Sequence, residues 1–181
     1  GDNVICTPMT FASSANCIRF CGGNVKFVDI DPETYLLDIN KLKEILSTAP
    51  KGTYKGMVLV DFAGYPHNME EYRKVADEYG MWILEDACHA PGAYFIDSTG
   101  EKVYCGCGKY SDITVFSFHP VKHITTGEGG MACTQNKEYY EKMALYRTHG
   151  ITHEAEKLQR EDGLWYYEMQ ELGYNYRITD I

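Results

Sequence analysis

No stretch of this sequence stays apolar for the roughly 20 residues that a membrane-crossing helix needs. Its opening, GDNVICTPMTF, has the pattern of neither a signal nor a transit peptide. A cationic surface is missing too: 17 Lys and Arg stand against 26 Asp and Glu, a formal charge of -9. No basic cluster stands out, so neither nucleic acid nor an anionic membrane is an expected partner. A small phosphorylated ligand stays open, because backbone N–H groups hold phosphate without net positive charge.

Several nucleotide and nucleophile signatures are also missing. No G-x-G-x-x-G follows a strand-like run and no G-x-x-x-x-G-K-[ST] occurs, so nicotinamide and P-loop nucleotide sites have no support. There is no G-x-S-x-G elbow, which makes Ser117 a poor hydrolase nucleophile. The seven cysteines are odd in number and lack a framework spacing. Cys6, Cys17, Cys21, Cys88 and Cys133 read as small buried hydrophobes of a protein kept in a reducing cytoplasm. Cys105 and Cys107 form C-G-C, with His119 and His123 further along. Zinc needs about four placed ligands and usually a C-x-x-C pair, so these read as loop thiols and no metal site is expected.

What is present is an alternation of strands and helices. With 181 residues, 44% hydrophobic and 24% charged, the chain reads as one soluble globular domain with a sizeable core. Strands are predicted at 4–7, 25–30, 57–62, 82–85, 113–118 and 131–134. Between them, Ala12, Ala15, Ile18 and Phe20 mark one helix, and Leu42, Ile45 and Leu46 share a face of a second, capped by Asp38. Asn68 and Glu71 resemble a capping box for a third, carrying Met69, Tyr72, Val75, Ala76 and Tyr79 and ended by Gly80. Asn136 caps a fourth, with Tyr140, Met143 and Ala144. No hairpin dipeptide joins neighbouring strands, so the pattern is α/β with a mostly parallel sheet and right-handed crossovers. The tail from Glu154 is charged, then rich in Trp and Tyr, and reads either as a loop and helix that pack on a partner or as ordinary surface.

Ligands of open α/β sheets gather at the carboxyl ends of strands. Three such ends carry polar groups: Asp61 and His67; Glu85, Asp86 and His89; Ser117, His119 and Lys122. A single strand-end acid is usually a cap or a salt-bridge partner, but three such ends together shift the balance toward a site. A lysine after a strand suits Schiff-base chemistry if burial lowers its pKa. Lys109 is the other loop lysine, in an exposed-looking GKYSD setting.

The segments EDACHAPGA, SFHPVKHITTGEGG and ELGYNYRITD, with Asp86 36 residues before Lys122, resemble the DegT/DnrJ/StrS type of pyridoxal-phosphate-dependent sugar-nucleotide aminotransferases. The resemblance runs along essentially the whole chain and is strongest to the branch that aminates a 4-keto-6-deoxy sugar nucleotide on the way to pseudaminic acid, a cell-surface polysaccharide sugar. It implies the three-layer, mostly parallel large domain of the aspartate aminotransferase (type I) fold. It also implies a cytoplasmic homodimer, pyridoxal 5'-phosphate as cofactor, a UDP-linked sugar nucleotide as substrate and L-glutamate as amine donor. Lys122 would carry the cofactor and move the proton. Asp86 would face the pyridine nitrogen and favour the protonated ring that acts as electron sink. His89 would touch the phenolic oxygen, Ser117 the phosphate, Phe11 the ring face, and Asn175 the phosphate of a neighbouring subunit's cofactor. Gly127, Gly129 and Gly130 would let the backbone turn beside the site.

By the same resemblance, residues 1–181 are the central part of the large domain, without the upstream phosphate loop and the carboxy-terminal small domain, and inactive alone. Two other readings remain: a sugar dehydratase of the same family, in which a histidine replaces the lysine, and a non-catalytic regulatory relative. Intact Lys122 and Asp86 argue against both.

Overall fold

The computed structural model describes residues 1–160 and 162–180. The chain divides into two compact units, Gly1–Gln135 and the residues from Asn136 onward. In the first, β1 (Asn3–Cys6), α1 (Ser13–Phe20), β2 (Asn24–Phe27), α2 (Ile39–Thr48), β3 (Tyr54–Val60), α3 (Met69–Tyr79) and β4 (Trp82–Asp86) are followed by β5 (Tyr94–Ile96), β6 (Lys102–Tyr104), β7 (Ile113–Ser117) and β8 (Gly130–Cys133). The main sheet runs β2-β1-β3-β4-β7-β8, and every neighbour pair is parallel except β7 with β8.

Strand alternation sorts the apolar residues onto two faces. Ile5, Met57, Leu59 and Ile83 point to one face, where Leu42 and Leu46 of α2 and Met69, Tyr72, Val75 and Ala76 of α3 cover them. Val4, Cys6 and Val58 point to the other, where Ile18 of α1 meets them. Helices on both faces of a mostly parallel sheet make the expected three-layer α/β architecture. Each fully buried Leu, Ile or Met contributes roughly 1.5–3 kcal/mol over its exposed state, so the α2–α3 side is the main anchor.

Local chemistry sets the helix ends. The Asp38 carboxylate accepts from the N–H groups of Asn40 and Lys41 at the start of α2. At the end of α3, Gly80 takes the left-handed conformation (φ 67°), and Met81 N–H returns to Ala76 O and Gly80 N–H to Asp77 O, a Schellman closure. Asn68 does not cap α3 through its side chain; its amide donates to Glu71 Oε1 instead (3.1 Å).

The structure departs from the sequence reading in four places. β5 and β6 form a hairpin that no dipeptide announced. Its turn is organised by Asp97, whose Oδ1 accepts from Thr99 N, Thr99 Oγ1 and Glu101 N, with Gly100 at φ 82°. The second predicted strand stops at Phe27, and Ile30 forms only an isolated bridge with Leu37. Of the cysteines expected to be buried, Cys17 and Cys21 are exposed and Cys88 and Cys133 are only half-buried; Cys21 lies beyond the last residue of α1. In the second unit, α4 (Lys137–Tyr146), capped by Asn136, precedes a two-stranded ladder of β9 (Ile151–Thr152) and β10 (Glu168–Met169). Among the described residues the tail after Glu154 holds a short 3-10 turn and no α-helix. No helix of the described residues is long and apolar enough to cross a membrane.

Candidate cofactor site

Because β3, β4 and β7 are parallel, their carboxyl ends open on the same edge of the sheet. The register Val60–Asp86–Val115 runs across it, and Asp61 and Ser117 lie just beyond. Alternation then separates the two adjacent acids of β4. Asp86 shares its parity with Leu84 and faces α1; Glu85 shares its parity with Ile83 and faces the α2–α3 side.

Toward α1, Asp86 is 9% exposed. Ser14 Oγ donates to its Oδ2 at 2.7 Å, and Cys88 N–H donates to its Oδ1 at 3.2 Å. Thr10 Oγ1 lies 2.7 Å from Ser14 Oγ. Neither Thr10 nor Ser14 had been singled out from the sequence; the visible signal was only two hydroxyls four residues apart at the entry to a helix.

The opposite face holds a buried acidic cluster. Asp61 Oδ1 accepts from both His67 N and His67 Nδ1, at 3.0 and 2.9 Å, and Cys105 Sγ lies 3.4 Å from Oδ2. Glu85 Oε2 accepts from Thr114 Oγ1 (2.5 Å) and Ser111 Oγ (3.1 Å). Burial, then the Asp61 charge, pushes the Glu85 carboxyl above its ordinary range, and burial pushes the Cys105 thiol well up. Most of these groups are paired inside the fold, though His67 Nε2 is buried without a partner among the described residues, and Cys105 belongs with them rather than with Cys107.

Lys122 sits half-buried in the β7–β8 connection, its N–H bonded to His119 O (2.9 Å). Its ammonium is close enough to act on the segment after β4. The His89 imidazole is held below its usual range by burial first and by the Lys122 charge second. Burial pushes the Cys88 thiol up to about 12, and Lys122 opposes that rise. Lys109 is placed very differently. It is exposed, as its setting suggested, and is clasped by Asp97 (2.7 Å) and Glu101 (2.6 Å), which raise its pKa.

Ser117 Oγ accepts from His119 N (3.3 Å), which leaves its own proton to give. Phe11, in the β1–α1 connection, is 78% exposed. His119 Nδ1 accepts from Val121 N, and His119 Nε2 approaches Glu128, so this histidine organises the loop. Of the three glycines expected to turn the chain, only Gly127 has a positive φ (80°). Gly130 is required instead for close approach, since a Cβ there would meet Phe116 O at 2.8 Å. Asn175 lies in the second unit, exposed, in an isolated bridge with Thr148.

The strand-end acid Asp86 and the loop lysine Lys122 are thus both close enough to act on His89. The model of the DegT/DnrJ/EryC1/StrS aminotransferase family matches residues 1–181. The chain belongs to that family. The UDP-4-amino-4,6-dideoxy-N-acetyl-beta-L-altrosamine transaminase of Campylobacter jejuni is 39% identical over 178 residues, 98% of this chain and 43% of that protein. Helicobacter pylori PseC, an aminotransferase involved in the biosynthesis of pseudoaminic acid, superposes with a TM-score of 0.80 at 30% identity, over 97% of this chain and 42% of its own. A sugar-aminotransferase candidate of Streptococcus pneumoniae, solved in its PMP-form, gives 0.80 at 27% identity, over 99% of this chain and 47% of its own. The chain therefore spans less than half the length of these relatives.

Proposed function

We propose that this chain is the central part of the large domain of a cytoplasmic enzyme that uses pyridoxal 5'-phosphate to move an amino group from L-glutamate to C4 of a UDP-linked 4-keto-6-deoxy sugar. The observation that carries the reading is the placement of Asp86 at the end of β4 and of Lys122 in the connection after β7, the neighbouring strand, both near enough to act on His89, while Lys109 is tied up in two ion pairs.

The residues present fit this cofactor by their donor chemistry. An acceptor-only carboxylate, Asp86, suits a protonated ring nitrogen. An amine, Lys122 Nζ, suits an aldehyde. The free hydroxyl proton of Ser117 suits a phosphate oxygen, and the open face of Phe11 suits a flat ring. When bound, the cofactor supplies an electron sink for the carbon that loses its proton.

The chain's own residues do the rest. Lys122 Nζ would hold the cofactor and would move a proton from and back to the substrate carbon. Asp86 keeps a negative charge beside the ring nitrogen. His89, whose imidazole is held below its usual range by burial and by Lys122, would meet the phenolic oxygen. Asn175 serves the cofactor phosphate of a second subunit in a homodimer. The Campylobacter jejuni and Helicobacter pylori relatives support the sugar-nucleotide substrate, and the PMP-form relative supports the cofactor.

The test is to incubate the full-length protein with glutamate and a UDP-4-keto-6-deoxy sugar and to follow 2-oxoglutarate and the 4-amino sugar by mass spectrometry. Stoichiometric formation of both is expected. Release of a dehydrated sugar without 2-oxoglutarate would replace the reading by a dehydratase.

A further inference from the structure

Asp86 is gripped from behind by hydroxyls of the β1–α1 segment, 72 residues away in sequence. Ser14 Oγ donates to Asp86 Oδ2 at 2.7 Å, and Thr10 Oγ1 stands 2.7 Å from Ser14 Oγ. A hydroxyl has one proton to give, and a carboxylate oxygen only accepts. Ser14 therefore spends its proton on Asp86, and the contact with Thr10 has a single allowed direction: Thr10 donates to Ser14, and Ser14 to Asp86. The chain of donors is sequestered, with Ser14 4% exposed and Asp86 9%. Cys88 N–H holds Oδ1 from the other side at 3.2 Å. Each carboxylate oxygen thus has a donor from the protein, the Cys88 thiol also interacts with the carboxylate, and together these hold its plane.

We propose that Ser14, backed by Thr10, is a positioning residue that orients the Asp86 carboxylate toward the pyridine nitrogen of the cofactor. The inference rests on the reading of Asp86 given above. An unrestrained aspartate rotates about its terminal torsion, which is broad; a hydroxyl on one oxygen and an N–H on the other remove that freedom. The same turn carries Phe11, whose carbonyl accepts from Ser14 N–H at 3.2 Å. One short segment therefore sets both the aromatic proposed for the ring face and the hydroxyl that aims the acid at the ring edge. Hydrogen bonds to charged groups are stronger than neutral ones, so the loss of Ser14 Oγ is felt at the ring.

The experiment uses the full-length holoenzyme reconstituted with cofactor labelled with nitrogen-15 at the pyridine position. Ser14→Ala, Ser14→Thr, Thr10→Val and Asp86→Asn are compared by the nitrogen-15 shift, by cofactor affinity and by kcat against KM. In Ser14→Ala the ring nitrogen should move toward its unprotonated shift, cofactor should bind more weakly, and kcat should fall roughly tenfold with KM for glutamate little changed. Ser14→Thr, which restores a hydroxyl, should return all three to wild type. Thr10→Val should move them in the same direction by less, and it provides the reading should Ser14→Ala not fold. A wild-type nitrogen shift in Thr10→Val and in any folded Ser14→Ala, alongside a moved shift in Asp86→Asn, would overturn the positioning role and leave Asp86 in place. An unmoved shift in Asp86→Asn would overturn both.

Discussion

Asp61 and Glu85 occupy one buried cluster, and with Cys105 their side-chain ligand atoms lie within 4.8 Å of one another. They come from neighbouring parallel strands and point to the same face of the sheet. Two adjacent ionised carboxylates in a dry interior are costly, so their charge is managed locally. Asp61 is matched with His67, while Glu85 is ringed by the hydroxyls of Thr114 and Ser111 and is the carboxyl that burial and the Asp61 charge push up.

That arrangement gives a pH-dependent stability with a definite sign. Burial and the Asp61 charge raise the Glu85 acid above its ordinary 4.5, so the folded protein binds this proton more tightly than the unfolded chain. The contribution is full below pH 4.5 and is lost as pH rises through the raised folded value, at about 1.4 kcal/mol for each unit of the rise. Glu85→Gln keeps an acceptor for Thr114 and does not titrate. Its unfolding temperature, relative to wild type, should improve between pH 5 and pH 8. Parallel curves for the two proteins would rule out Glu85 as the titrating group.

Lys122→Ala in the full-length protein should abolish transamination while leaving the unfolding transition nearly unchanged, because the side chain is only half-buried and makes no hydrogen bond among the described residues. Borohydride reduction and peptide mapping should find cofactor on the peptide holding Lys122. Recovery of the label on Lys109 would contradict the ion-paired, protonated state that Asp97 and Glu101 impose on that amine.

Gly64→Ala probes how tightly the β3 and β4 connections are fitted. Gly64 has φ 84°, and a Cβ there would come within 2.7 Å of His89 O. The left-handed conformation alone costs a non-glycine residue roughly 1–2 kcal/mol, and a backbone oxygen cannot swing away as a flexible side chain can. Lower stability together with weaker cofactor binding is expected, read by thermal unfolding and by cofactor titration of the same preparation. Lower stability with unchanged affinity would show that His89 does not reach the cofactor.

Much of this was legible in the residues. Runs such as MVLVDF and WILED, spaced by amphipathic helices with Asp38 and Gly80 at their ends, specify a parallel sheet because buried strands must be apolar on both faces and because helix termini need caps. The spacing from Asp86 to Lys122 in its surrounding motifs was enough to mark the candidate chemistry. The β5–β6 hairpin was not legible, since Asp97 builds its turn through side-chain bonds to Thr99 and Glu101 rather than through a recognised dipeptide. Nor was the fate of the cysteines, because α1 buries only Ser14 and Ile18 and ends before Cys21, which leaves Cys17 and Cys21 in solvent.

By itself, then, the sequence determined the order of elements and the residue types at each strand end, because these follow from periodicity and capping along a local stretch of chain. Which of Glu85 and Asp86 turns toward α1, and which of Lys109 and Lys122 is left outside an ion pair, was decided only by tertiary structure. A strand alternates strictly, so a pairing register shifted by one residue would exchange the two acids. The clasp on Lys109 needs a hairpin to bring Asp97 and Glu101 beside it, and the grip of Ser14 on Asp86 needs α1 to pack over the sheet face that β4 turns toward it.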